Sequence, residues 1–345
     1  MIQVHNLNLE LNWKLINVIN QLDRFDASWS SIERKEGQSL KQLKSIATVE
    51  SAGASTRIEG SKMSDDEVDV LLANLSIEKL TNRDTREVAG YYEVLEIITE
   101  SYKDIRITHN ELKNLHNKLL KYSEKDQWHK GNYKQHSNNL EATLPDGTKQ
   151  IIFKTTPAGY ETEDAMHALI KWYSSDKEIH PIIKSAIFSY EFLTIHPFQD
   201  GNGRLSRLIA TLLLLKNGYK WIQYVSLEHE IENRKTEYYR ELRKCQAQRP
   251  NENVTSWVFF FLDALNNVQQ KLTIKLQQSG VEEDLSPKEK SILTFISNNP
   301  GCKSGAISSK LGIPNPTVKR ILRSLVQNGL IQKHGTGPGT NYSGN

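Results

Sequence analysis

Thr194-Ile-His-Pro-Phe-Gln-Asp-Gly-Asn-Gly-Arg-Leu-Ser-Arg207 is the densest chemical signal in the chain, and its two flanks decide the fold. Residues 180–194 read as a helix rich in apolar side chains that ends at the loop HPFQDGNG, and a second apolar helix runs over Gly203–Asn217. Gly201 and Gly203 let the backbone turn its N–H groups into one concavity at a helix N-terminus. Unpaired amides and the helix dipole both favour an anion there. Arg204 and Arg207 are spaced i, i+3, so both guanidinium groups project from the first turn towards the same anion. Asp200, beside a phosphate site, is the kind of carboxylate that holds magnesium together with phosphate oxygens. His196 is placed to take a proton from an incoming nucleophile near neutral pH, and the Asn202 side chain can orient the loop or the phosphate. These parts suit phosphoryl or nucleotidyl transfer, where positioning and charge neutralisation do most of the work. DGNG does not open an EF-hand, because the twelfth position from Asp200 is Thr211 and not Glu.

Outward from this loop, most of the first 280 residues carry the 3.6-residue period of helices. Leu40, Leu43, Ile46, Ala47 and Glu50 share a face and lead into SAGASTRIEG, where Gly60 supplies a stop. Further helices are predicted over Asp66–Asn74, Asp84–Ser101, Thr108–Lys121, Glu163–Ser174, His180–Thr194, Ile231–Ala247 and Asn253–Gln278. One strand pair stands out: NLEATL and TKQIIF flank the turn Pro145-Asp146-Gly147, a strong local hairpin signal. No apolar run approaches the roughly 20 residues that cross a bilayer, and the N-terminus lacks the pattern of a signal peptide. Two isolated cysteines, Cys245 and Cys302, are too few for a disulfide framework or a zinc knuckle, which points to the cytoplasm.

Charge divides the chain. From Ser286 onward there are eight Lys/Arg against the single acid Glu289, a net of +7 in a chain whose total is +3, so the rest is net acidic. A basic tail on an acidic body points to a polyanionic partner. Ser286-Pro287 can cap a new helix, and Ser286–Asn299, Lys303–Leu311 and Asn315–Asn328 follow as three short helices. LIQKH and TNYSG, across a glycine turn, complete them as a small hairpin. This arrangement resembles a winged-helix domain. Its recognition helix, in NPTVKRILRSLVQNGL, carries Lys319, Arg320 and Arg323 beside the apolar Val318, Ile321, Leu322 and Leu325. The basic set can reach DNA phosphates or base edges.

HPFQDGNGRLSR also resembles the signature of the Fic family, His-Pro-Phe-x-Asp/Glu-Gly-Asn-Gly-Arg-x-x-Arg, at every defining position. The resemblance runs from about Ser45 to Leu265. It implies transfer of AMP from ATP to a Ser, Thr or Tyr hydroxyl of a target protein or of the chain itself. It makes His196 the general base, Asp200 the Mg²⁺ ligand, and Gly201, Asn202 and Gly203 the phosphate nest. Arg204 and Arg207 hold the phosphates, and a buried Phe198 anchors the loop. Residues 139–153 look like the family's β-hairpin flap, which offers a strand edge to an extended target segment. Gly131-Asn-Tyr-Lys134 resembles the Gly-x-Tyr/Phe-Arg stretch before that flap, with Lys134 in place of Arg. Ser55-Thr-Arg-Ile-Glu-Gly60 fits the family's inhibitory pattern Ser/Thr-x-x-x-Glu-Gly/Asn. The resemblance implies that Ser55 and Glu59 lie on an inhibitory helix whose Glu59 pairs with Arg207.

The expected fold is therefore mainly α. It comprises an N-terminal helical region over 1–100 with the inhibitory helix, a Fic-type helical core with its flap over 101–280, and a small α+β winged helix over 281–345. Two alternatives stand beside AMP transfer. One is transfer of another group, since some relatives use UMP, phosphocholine or phosphate. The other is a DNA-binding regulator whose Fic core is a sensor. The absence of G-x-x-x-x-G-K-[ST] speaks against a Walker ATPase. The sequence is compatible with a monomer or an oligomer.

Overall fold

A computed structural model describes residues 2–4, 7–143, 147–283 and 285–344. Leu144, Pro145 and Asp146, at the tip of the expected hairpin, lie outside the described residues. Those residues form fourteen α-helices and three two-stranded antiparallel sheets. The chain divides into two compact units, residues 1–269 and 270–345.

The first unit opens with β1 (Ile2–Val4) paired to β2 (Leu7–Leu9), then α1 (Trp13–Lys35) and α2 (Gly37–Ile58). Asn12 caps α1 by accepting the Leu15 amide, and Leu15, Leu22 and Trp29 bury its apolar face. It was not among the predicted helices. There follow α3 (Asp65–Ala73), α4 (Arg83–Ser101), α5 (His109–Leu119), β3 (Leu140–Thr143) and β4 (Lys149–Phe153). The two strands pair antiparallel from Leu140–Phe153 to Thr143–Lys149. The remaining helices are α6 (Tyr160–Ser175), α7 (Pro181–Ile195), α8 (Asn202–Lys216), α9 (Leu227–Asn233), α10 (Lys235–Gln246) and α11 (Thr255–Glu283), whose residues from 270 onward count with the second unit.

Helices α7 and α8 form the centre of this unit: every residue of α7 from Ile182 to Ile195 is buried. So is nearly all of α8, down to its polar Asn202, Arg204 and Arg207. The six-residue loop between them is thus fixed at both ends by the core. Against them stands α2, whose small residues Ala52, Gly53, Ala54 and Ser55 let α4 and α9 approach closely.

One predicted helix, over 231–247, is two. The chain breaks at Arg234 (φ −114°), whose guanidinium is drawn to Glu237 and Asp263. No glycine or proline marks that break.

In the second unit α12 (Pro287–Asn298), α13 (Ser304–Leu311) and α14 (Asn315–Gln327) precede β5 (Ile331–His334), which pairs with β6 (Asn341–Gly344). Glu289 accepts from the Ser286 amide at the start of α12. Ile292, Ile296, Ile307, Val318, Ile321, Leu322 and Leu325 form the core, leaving Lys319, Arg320 and Arg323 exposed on α14.

Candidate active site

The α7–α8 loop opens into a cleft of about 310 Å³. His196, Gln199, Asp200, Gly201, Asn202, Gly203, Arg204 and Arg207 line its floor. Glu59 enters from the end of α2, Leu140 and Ile152 come from the hairpin, and Tyr238, Tyr239 and Arg243 come from α10. The cleft therefore gathers segments that are far apart in sequence.

His196 ends α7 in a left-handed conformation (φ 54°, ψ 59°), the one non-glycine with positive φ among the described residues. Its Nδ1 lies 3.2 Å from the Leu193 carbonyl. A carbonyl only accepts, so Nδ1 carries the proton and Nε2 keeps its lone pair. Burial pushes the imidazole down to about 4, so it is neutral at physiological pH.

Gly201 is the N-cap of α8 (φ 79°) and no side chain caps that helix, which leaves the first-turn amides available at the cleft. The Asn202 side chain braces the loop: Oδ1 accepts from the Phe198 N–H at 2.9 Å, and Nδ2 donates to the Phe198 carbonyl at 2.7 Å. Phe198 is fully buried and stacks on His116 with ring centroids 3.8 Å apart.

The sequence reading had missed His116. Its Nδ1 accepts from the Gly131 N–H at 2.9 Å, so its Nε2 must carry the proton donated to the Asp200 carbonyl at 3.0 Å. Burial pushes this ring down to about 4, and it holds the loop as a neutral group.

Both arginines are buried and both meet carboxylates. Arg207 donates from Nε to Ser55 Oγ (2.8 Å), and from Nη2 to the Ser55 carbonyl (2.9 Å) and Glu59 Oε1 (2.8 Å). Burial works against ionisation of Glu59, but Arg207 outweighs it and keeps the carboxyl below its ordinary value. Arg204 lies 3.3 Å from both Glu87 Oε1 and Asp200 Oδ1. Lys125 donates to Asp200 Oδ2 at 2.9 Å. Burial again opposes ionisation, yet Arg204, Lys125 and the Gly201 amide hold Asp200 down at about 2. Among the described residues, no group of three His, Cys, Asp or Glu side chains is arranged to hold a metal ion.

The end of α2 is pinned by residues that sequence reasoning passed over. Arg57 grips Glu232 with two bonds (2.6 and 2.9 Å), donates to the Met63 carbonyl and meets Asp65 at 2.9 Å. Lys235 donates to the Ile58 carbonyl. Glu59 then caps the helix, and Gly60, at φ 102°, turns the chain away.

This fold and loop define a class. A Fic family protein from Desulfovibrio desulfuricans G20, known from its crystal structure, superposes with a TM-score of 0.64 at 21% identity over 97% of each chain. Residues 106–214 match the Fic/DOC family model, and residues 285–332 match the model described as winged helix-turn-helix DNA-binding. The chain carries a Fic/DOC domain and a C-terminal winged helix-turn-helix. Among curated relatives, the protein adenylyltransferase Fic of Drosophila melanogaster is 25% identical over 205 residues, covering 58% of this chain and 39% of that protein. Its namesake from Nematostella vectensis is 31% identical over 138 residues, covering 39% of this chain and 29% of that protein. The chain thus spans about two fifths or less of the length of these relatives.

Proposed function

We propose that the chain is a protein adenylyltransferase that moves AMP from ATP to a Ser, Thr or Tyr hydroxyl of a target protein or of itself. The observation that carries this reading is the cleft. A neutral histidine with a free Nε2, an uncapped helix N-terminus and two buried arginines share one cavity beneath a β-hairpin. In the reaction the target oxygen bonds to the α-phosphorus, the α–β bridging P–O bond breaks, and pyrophosphate leaves. His196 Nε2 receives the hydroxyl proton. The amides of Asn202 and Gly203, joined by that of Gly201 once it leaves Asp200 Oδ1, hold the phosphates with Arg204 and Arg207.

Magnesium, when bound, neutralises phosphate charge. Asp200 is the residue that would hold it: one ionised carboxylate at the cleft fits an ion whose other ligands are phosphate oxygens and water. Lys125 must then leave Oδ2. Glu59 acts as an intramolecular inhibitor, because its carboxylate sits on Arg207 where the terminal phosphate of ATP belongs. Ser55 fixes Arg207 in the same pose. The hairpin over 139–153 receives the target segment along its edge.

The exposed Lys319, Arg320 and Arg323 of α14 support DNA as a partner of residues 286–345. This makes a DNA-binding regulator the second reading. Transfer of another nucleotide or phosphate group is compatible with the same nest, which contacts phosphates and not a base. No helix among the described residues is long and apolar enough to cross a membrane. The two free cysteines favour a cytoplasmic location.

The test incubates the Glu59→Gly chain with labelled ATP and Mg²⁺ beside the same chain carrying His196→Ala. Label on protein is expected only with His196 present. Equal labelling of both overturns the assignment of the base.

A further inference from the structure

A buried polar network fastens the loop that carries His196. Lys134 is 2% exposed, and its ammonium donates to Asn138 Oδ1 (2.8 Å), Thr155 Oγ1 (3.0 Å) and the Ile195 carbonyl (3.0 Å). Asn138 Nδ2 donates to the carbonyls of His196 (3.1 Å) and Phe198 (2.7 Å), and the Lys134 amide donates to that of Pro197 (2.8 Å). Four consecutive carbonyls, Ile195 to Phe198, are therefore held from one side. Thr155 Oγ1 donates to Asn138 Oδ1 at 2.8 Å, and the Thr155 amide donates to Asn139 Oδ1 at 3.1 Å.

The bonding capacity of the group is full. All three ammonium protons of Lys134 have acceptors, and the Asn138 amide makes four bonds, two as donor and two as acceptor. Residues 138–139 and 155 are the two feet of the β3–β4 hairpin. The network thus joins both feet of the flap to the backbone of the base. It also accounts for the strained φ of His196, because such a conformation persists where its surroundings over-determine it.

We infer that Lys134, Asn138 and Thr155 are positioning residues: a clamp that holds His196 in its left-handed conformation and makes flap and base one body. The inference rests on the transferase reading of His196. It gives the replacement of Arg by Lys134 a physical meaning, since the ammonium meets three separately placed neutral acceptors with no fork geometry. The Lys134 charge also bears on the imidazole. It opposes protonation of His196, whereas Glu59 at the end of α2 and Asp200 in the loop favour it.

The experiment uses the full chain activated by Glu59→Gly, with Asn138→Asp and Lys134→Met added singly. Each is expected to lower kcat about tenfold or more, because a small misplacement of the base suffices. Affinity for a non-hydrolysable ATP analogue stays within about twofold, because the nest is untouched. Lys134→Met moves the acid limb of the kcat–pH profile to higher pH, a shift that loss of packing alone does not produce. Amide exchange in 150–153 and in 195–198 rises together in Asn138→Asp. Unchanged kcat, an equal fall in analogue affinity, or exchange that rises in only one segment overturns the clamp. If the Glu59→Gly parent transfers no label, the transferase reading fails, while the joint exchange measurement still decides the clamp. Should either variant not fold, Thr155→Val, which is isosteric and removes one Lys134 acceptor, is read by the same measurements.

Discussion

The carboxylate of Glu59 stands directly over Gly203: a β-carbon at residue 203 would come 2.3 Å from Glu59 Oε1, the oxygen that accepts from Arg207 Nη2 at 2.8 Å. An anion from within the chain thus lies against the glycine-rich turn, on the arginine that the transferase reading gives to phosphate. The glutamate, the glycine and the arginine form one unit, and its behaviour on mutation is calculable.

Glu59→Gly is expected to raise label transfer by about tenfold or more while lowering thermal stability. The pair it breaks is buried on the arginine side and 29% exposed on the glutamate side. Arg207 keeps its two bonds to Ser55, so the loss is about 1–3 kcal/mol. A labelling time course and a melting curve on the same preparation check both signs.

Gly203→Ala and Glu59→Gly are expected to be non-additive in Tm. The new methyl must displace the Glu59 carboxylate, so the alanine carries most of the cost of breaking the pair. In the Glu59→Gly chain that clash is gone and the alanine is nearly neutral for stability. Additive shifts would mean that the two residues do not touch in solution.

Arg57→Ala and Glu232→Gln leave Glu59 and the nest in place but loosen the end of α2. Transfer is expected to rise several-fold, by less than in Glu59→Gly. Comparing initial rates in the three variants tests the ranking.

For the pH dependence, burial lowers His196 from its ordinary value near 6.5 to about 4. Transfer by the Glu59→Gly chain, which lacks a carboxylate that favours protonation of His196, should therefore hold as pH falls through 6.5 and fail only at or below about 4. Stability follows the same groups. Both His116 and His196 bind protons more weakly folded than unfolded, so stability is full above about 6.5 and is lost progressively as pH falls towards 4. For fully buried His116 the whole window amounts to about 3 kcal/mol, of which about 2 kcal/mol is lost between pH 7 and pH 5. Melting curves at pH 7 and pH 5, with His116→Ala as the reference, measure it.

In the second unit, Lys319→Glu with Arg323→Glu is expected to abolish DNA retention in a shift assay without changing label transfer. Binding by the unaltered chain should weaken steeply as salt rises, because released counterions supply much of the affinity. DNA binding that survives both charge reversals would place the contact elsewhere.

The Fic loop, the hairpin and the winged helix were legible because each is a local pattern: a motif, an alternation about Asp-Gly, and a charge shift at Ser286. Helix α1 was equally available, with Asn12 as cap and Leu15, Val18, Leu22 and Trp29 on one face, but it lies outside the motif-bearing region. His116, Asn138 and the Arg57–Glu232 pair had no local signature. His116 meets Asp200 across 84 positions, and Arg57 meets Glu232 across 175. Each is a polar residue of ordinary type whose partner is chosen by the packing of other helices. The motif marks Asn202, and only the folded structure separates its side chain, which braces Phe198, from its backbone, which the transferase reading gives to the phosphates.

Helix α2 is at once a core helix and the carrier of Glu59: Ser51, Ala52, Ala54, Ser55 and Thr56 are buried, and the glutamate follows on its last cap. Under the proposed inhibitory role of Glu59, the restraint is not a separable lid, and it draws on the same packing that keeps the first unit folded. On that reading, substitutions that raise the melting temperature by stiffening the final turn of α2 are expected to deepen the resting state, and those that fray it to release turnover. Durability and catalytic output would then be set against each other within a single turn of helix.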